Sequence, residues 1–128
     1  MEKQNWVSLW IGTAKSTRAL EKYVEGEYSD DGDYSRSQFE RDFRIDFFDE
    51  DFIETKHCRK PTRSLRRLLR DCSSHEAIID QFVAIVGEEL TNEAMSVVLL
   101  YNFLFRGRTV NSVSEAVSLR FVGTARYR

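Results

Sequence analysis

The chain has 128 residues, 41% of them hydrophobic and 31% charged, and a formal net charge of −2. That length is about one domain, since domains run to roughly 100–200 residues, and the balance of apolar to charged residues excludes a disordered chain. A single proline and six glycines exclude a low-complexity linker, and the longest apolar stretch, Val97 to Phe105, is broken by Asn102 and too short to span a bilayer.

The N-terminus, MEKQNWVSLWIG, lacks the basic region, long apolar run and small-residue cleavage site of a secretory signal. A cytoplasmic protein is expected, with Cys58 and Cys72 reduced. Trp6 to Ile11 is rich in β-branched and aromatic residues and predicts a first strand, ended by Gly12. Ser16 is an N-cap for a helix through Val24, with Ala19, Leu20, Tyr23 and Val24 on one face. The acidic stretch EGEYSDDGDYSRSQFERD follows, and within it Ser37 to Phe43 predicts a short helix. Asp51 to Cys58 reads as a strand closed by Pro61, and Thr62 to Asp71 as a helix. On that helix Leu65, Leu68, Leu69 and Cys72 form one stripe, and Arg63, Arg66, Arg67 and Arg70 form another on the opposite side. Ser73 and Glu76 have the spacing of a capping box for a helix ending at Gly87. Val97 to Phe105 predicts a central strand covered on both faces, and Val117 to Phe121 alternates as a half-exposed last strand. The fold class expected is α/β (α+β): one compact domain, residues 1–128, with a mixed four-stranded sheet packed with about four helices.

The small net charge hides two blocks. Glu25 to Glu54 holds twelve carboxylates against Arg36, Arg41 and Arg44, whereas Lys56 to Arg70 holds seven cations and no acid. Such blocks govern association more than fold. The arginine stripe is expected to relieve part of the repulsion within the acidic block.

These residues resemble several known chemical sites only in part. With Gly32 as the central glycine of a calcium loop, Glu27, Ser29, Asp31, Asp33 and Gln38 fall at ligand positions, but Glu27 replaces the first Asp and Gln38 replaces the bidentate Glu. A solvated or partner-facing loop is the better reading. GTAKST sits between strand and helix like a phosphate loop, yet Leu9 and Ala14 stand where its glycines belong. Cys72 and His75 have a chelating spacing, but His57 and Cys58, adjacent on a strand, point to opposite faces. A Cys/His nucleophile pair has no evident orienting group and no glycine-rich oxyanion turn. No metal, cofactor or catalytic group is therefore expected. A row of Arg63, Arg66, Arg67 and Arg70 suits a phosphate backbone, so a small nucleic-acid-binding module is the alternative from another class, disfavoured by a sequence pI near 5.7 and the lack of interleaved aromatics.

WVSLWIG, LEKYVEGEYSDDGDYSRSQFERDFRID, DEDFIE and SVVLLYNF, in that order and spacing, resemble the immunity protein 22 family of bacterial polymorphic toxin systems. The resemblance spans about Val7 to Phe105 and is weaker at the last strand; RKPTRSLRRLLRD is more basic than the family pattern. It implies a small cytosolic protein, not an enzyme, that binds a secreted toxin and neutralises it by covering its working surface. The acidic residues carried over are Asp30, Asp31 and Asp33 of the DDGD turn and Asp49, Glu50 and Asp51 of the DED turn. A nuclease toxin has a basic cleft, and a carboxylate-rich surface imitates the phosphates it grips.

Overall fold

The computed structural model describes residues 1–128. Its elements are β1 (Glu2–Ala14), α1 (Thr17–Val24), β2 (Glu27–Tyr28), β3 (Tyr34–Ser35), α2 (Gln38–Phe43), a 3-10 turn (Glu50–Phe52), β4 (Ile53–Ser64), α3 (Leu65–Leu69), α4 (His75–Val86), β5 (Glu89–Phe103), β6 (Asn111–Val113) and β7 (Val117–Arg126). Five strands form one sheet in the order β4-β5-β1-β7-β6, and β2 and β3 make a separate hairpin. The single α+β domain matches the sequence expectation. The sheet has five strands instead of four, and every ladder in it is antiparallel instead of mixed. The extra strand, β6, is only three residues long and too polar to stand out by alternation.

Period-2 alternation sends side chains of one strand into two cores. Val7, Leu9 and Ile11 of β1 and Val97 and Leu99 of β5 meet Leu65, Leu68 and Leu69 of α3 and Ile78 and Phe82 of α4. Trp10 of β1 and Val98 and Leu100 of β5 face the other way, toward Leu20 and Tyr23 of α1 and Phe39 and Phe43 of α2. The apolar run of β5 is thus covered on both faces, as its sequence predicts. Gly12 lets β1 lie tightly on β7, since a Cβ there would come within 1.9 Å of the Ser118 carbonyl oxygen.

Between β4 and α4 the chain departs from the expected pattern. The helix read over Thr62–Asp71 is only Leu65–Leu69, because Thr62, Arg63 and Ser64 continue β4. Pro61 does not end that strand. β4 lies at the sheet edge, and its register shifts between His57 and Thr62, so the missing N–H breaks no regular ladder. Asp71 and Ser74 both take positive φ and turn the chain toward α4. Cys72 falls outside the helix yet still joins the leucines in the core. The capping box expected from Ser73 and Glu76 is absent: Ser74 is the N-cap, in a left-handed conformation, and its side chain makes no capping bond.

Candidate partner-binding surface

The acidic segment lies over the α1/α2 face, with Phe39, Phe43 and Phe48 turned inward. Phe39, Phe43, Ile45 and Phe48 are buried against Trp10, whose ring centre is 4.9 Å from that of Phe39 and 5.7 Å from that of Phe43. α2 starts with a capping box: Ser37 Oγ accepts from the Glu40 N–H at 3.1 Å, and Glu40 Oε1 accepts from the Ser37 N–H at 2.9 Å.

The DDGD turn caps the β2–β3 hairpin. Ser29 Oγ accepts from the Asp33 N–H at 3.1 Å, and the Ser29 N–H donates to the Asp33 carbonyl at 2.8 Å. Asp30, Asp31 and Asp33 are all exposed. The hairpin is anchored through Tyr34. Its ring lies across Gly26, where a Cβ would meet ring Cε1 at 2.3 Å, and its hydroxyl donates to Glu40 Oε1. Desolvation, the bond to Glu40 and the Glu40 charge raise the Tyr34 hydroxyl above its ordinary pKa, and the Glu50 charge adds to them.

The DED turn is the 3-10 element itself. Asp49 caps it, accepting from the Asp51 N–H at 3.0 Å, and Asp49, Glu50 and Asp51 are exposed. Arg36 ties the end of the hairpin to the preceding loop through Asp46 at 3.3 Å, the one ion pair of five that involves the acidic block. Other carboxylates of the block are structural. Asp42 accepts from the Tyr23 hydroxyl and from Ser112 Oγ, each at 2.7 Å, and Glu54 accepts from the Ser73 N–H. What remains outward without a cationic partner is the DDGD group, the DED group, and Glu25 and Glu27 beside the hairpin.

Exposed aromatics accompany these carboxylates, and the sequence reading missed them. Tyr28 is 67% exposed and stacks on Tyr34 with ring centres 5.2 Å apart, while Phe47, 63% exposed, and Phe52 flank the DED turn. Rigid aromatics within a charged rim are the usual anchors of protein interfaces. The signal available was the tyrosine on each side of SDDGD, which suits a hairpin in which both rings share one face.

The arginines do not relieve the acidic block. Arg63, on β4, donates to the carbonyls of Leu90 at 2.9 Å and Thr91 at 3.0 Å. Arg66 pairs with Glu88 at 2.6 Å and Asp80 at 2.9 Å. Two of the four are thus engaged with α4 and the start of β5, and Arg63 lies outside the helix. The expected continuous row is broken. The Cys/His residues are likewise dispersed. His57 Nδ1 lies 2.8 Å from Ser96 Oγ, and His75 Nδ1 lies 3.1 Å from the Cys72 carbonyl oxygen. Burial pushes the Cys72 thiol up to about 12, the wrong direction for a nucleophile. No three His, Cys, Asp or Glu side chains are gathered as a metal site, and no helix is long and apolar enough to cross a membrane.

A family model described as Immunity protein 22 matches residues 7–128. The chain belongs to that family. The match extends the resemblance seen in the sequence through β7 to the last residue, so the basic β4–α3 segment and the last strand lie within the family's span. No curated protein and no solved structure matches the chain. Membership in the Immunity protein 22 family gives the protein an immunity role, which in general implies a protein partner.

Proposed function

We propose that this protein binds a cognate bacterial polymorphic toxin domain in the cytoplasm and neutralises it without chemistry of its own. The surface that does so joins Asp30, Asp31 and Asp33 of the hairpin to Asp49, Glu50 and Asp51 of the DED turn, with Tyr28 and Phe52 as apolar contacts. The observation that carries this reading is the outward-facing group of carboxylates that the fold leaves without cationic partners, on a segment held in place by Tyr34 and a buried aromatic layer. Such a field attracts a basic surface over long range. The toxin class that suits it best is a nuclease, whose phosphate-gripping cleft the carboxylates occupy.

The test uses a cognate toxin domain and stopped-flow association at low and high salt. Reversal of Asp30, Asp31 and Asp33 to lysine is expected to slow association about tenfold or more at low salt and to flatten its salt dependence. Unchanged association together with unchanged neutralisation would show that the hairpin is only a solvated connection.

A further inference from the structure

Five principal clefts mark the surface, and four carry at least one lysine or arginine. The fifth, between the DED turn and the α3–α4 loop, contains Asp51 and Glu54 and no cation. Its other walls include Phe52, Tyr101, Tyr127 and Ser73. We propose that this cleft is a pocket for a single arginine side chain from a protein partner. The proposal rests on the reading above only for the source of that arginine.

Size is the first argument. The cleft holds about 260 Å³, below the roughly 300–1,000 Å³ of cofactor and drug-sized sites, and suits one long side chain.

Shape and hydrogen bonding are the second. The Tyr101 and Tyr127 rings are perpendicular, with centres 5.0 Å apart. Both hydroxyls are engaged, Tyr101 with the Ser73 carbonyl and Tyr127 with Asn102 Oδ1, so the rings are held and offer faces and edges to the cleft. Glu54 is fixed too, its oxygens sharing one donor, the Ser73 N–H, at 3.1 and 3.2 Å. Each oxygen keeps a free lone pair, and the Asp51 side chain makes no bond within the chain.

Charge is the third. Burial raises the Tyr101 hydroxyl above its ordinary pKa and the Glu54 charge raises it further, so the negative field extends to the aromatic wall. A planar guanidinium satisfies carboxylates and aromatic faces together, which an ammonium does less well. Of the chain's own cations, Arg128 comes 5.9 Å from the Tyr127 ring centre, but it is not a wall of the cleft.

The experiment titrates N-acetyl-arginine amide into the isotope-labelled protein and follows backbone amide resonances, with N-acetyl-citrulline amide as the neutral isostere. Saturable millimolar shifts at Ser73, Ser74, Tyr101 and Tyr127 are expected with arginine and none with citrulline. Asp51→Asn, on an exposed turn, is expected to weaken binding about two- to fivefold, and Glu54→Gln to do the same unless it disturbs the loop at Ser73. Equal shifts with citrulline, shifts scattered over the surface, or full binding by Asp51→Asn would overturn the pocket. No toxin enters this titration. If arginine fails to bind while the hairpin reversal still slows toxin association, the pocket falls and the acidic surface stands; the opposite pair of results would have the opposite meaning.

Discussion

Glu40 is the acidic residue that the fold turns fully inward. Oε1 accepts from the Ser37 N–H, from Ser37 Oγ and from the Tyr34 hydroxyl, whereas Oε2 is buried with no partner. A buried polar atom without a partner costs about 1–3 kcal/mol. Glu40→Gln keeps the bonds at Oε1 but places an amide nitrogen, again without a partner, where the orphaned oxygen lies, so urea melts should show a change of less than about 1 kcal/mol. Glu40→Ala strands the Ser37 N–H and the Tyr34 hydroxyl and should lose about 2 kcal/mol or more; equal losses from the two variants would mean that Oε1 is not the atom that matters. Cys72 gives the residue-scale pH dependence. Its thiol is held up to about 12 by burial, against an ordinary 9.0. The unfolded chain therefore ionises this thiol first, and the stability it contributes is fully present below pH 9 and declines as pH rises toward 12. The raised hydroxyls of Tyr23 and Tyr101 act in the same direction. Stability measured from pH 8 to 11 should fall less steeply in Cys72→Ala than in the parent chain; identical slopes would remove burial of this thiol as a cause.

Among the elements, the β1–β7 ladder is the most sensitive to a single methyl group. A Cβ on Gly12 would sit 1.9 Å from a backbone oxygen of β7, and backbone cannot yield as a flexible side chain can. Gly12→Ala should cost more than about 2 kcal/mol, read as a lowered denaturation midpoint; a loss under about 0.5 kcal/mol would mean that the ladder opens without strain. Which elements were legible follows from the strength of their local signals. Ser16 caps α1 as its sequence implies, and the short helix read from Ser37 to Phe43 forms with Ser37 as its cap, because capping is decided within four residues. β5 was legible as a run covered on both faces. The β4–α3 boundary was not: Thr62 to Ser64 carry helical spacing, but pairing of Thr62 with Ala94 and Ser64 with Glu89 extends the strand, and that partner lies about thirty residues away in sequence. Ser73 and Glu76 failed as a box for a similar reason, since the Ser73 N–H is taken by Glu54 of β4. Tertiary bonds outbid the local ones at these places.

At the scale of the whole molecule, the sheet separates most of the acidic block from the arginines of α3. The stretch from Leu20 to Phe48 builds the face with α1 and α2, α3 with Arg66 and Arg67 packs on the other, and the DED end of the acidic block reaches round to the α3–α4 loop. The blocks themselves were plain in the sequence, but their separation was not, because it depends on which face each helix takes. The acids that answer Arg66 are Asp80 and Glu88, outside the acidic block, so Arg66 does not pair with the block as the sequence led us to expect. The aromatics were missed for a related reason: Phe43 and Phe48 are buried while Phe47 and Phe52 are exposed, and composition alone cannot tell them apart. On the proposed reading this arrangement divides the work of binding: hairpin carboxylates at an exposed tip would act on encounter, and an aromatic beside carboxylates that become desolvated would act on lifetime. Phe52→Ala should therefore raise the dissociation rate of the toxin complex about tenfold or more while leaving association nearly unchanged. The side chain is 41% exposed in the free protein, so its removal should cost little stability, and a matching denaturation midpoint keeps the kinetic result interpretable. Surface plasmon resonance on this variant and on the hairpin reversal, side by side, separates the two roles. Should Phe52→Ala and the reversal alter the same rate constant by the same factor, the DED turn would be a second steering patch and the apolar anchor would lie at Tyr28 or Phe47.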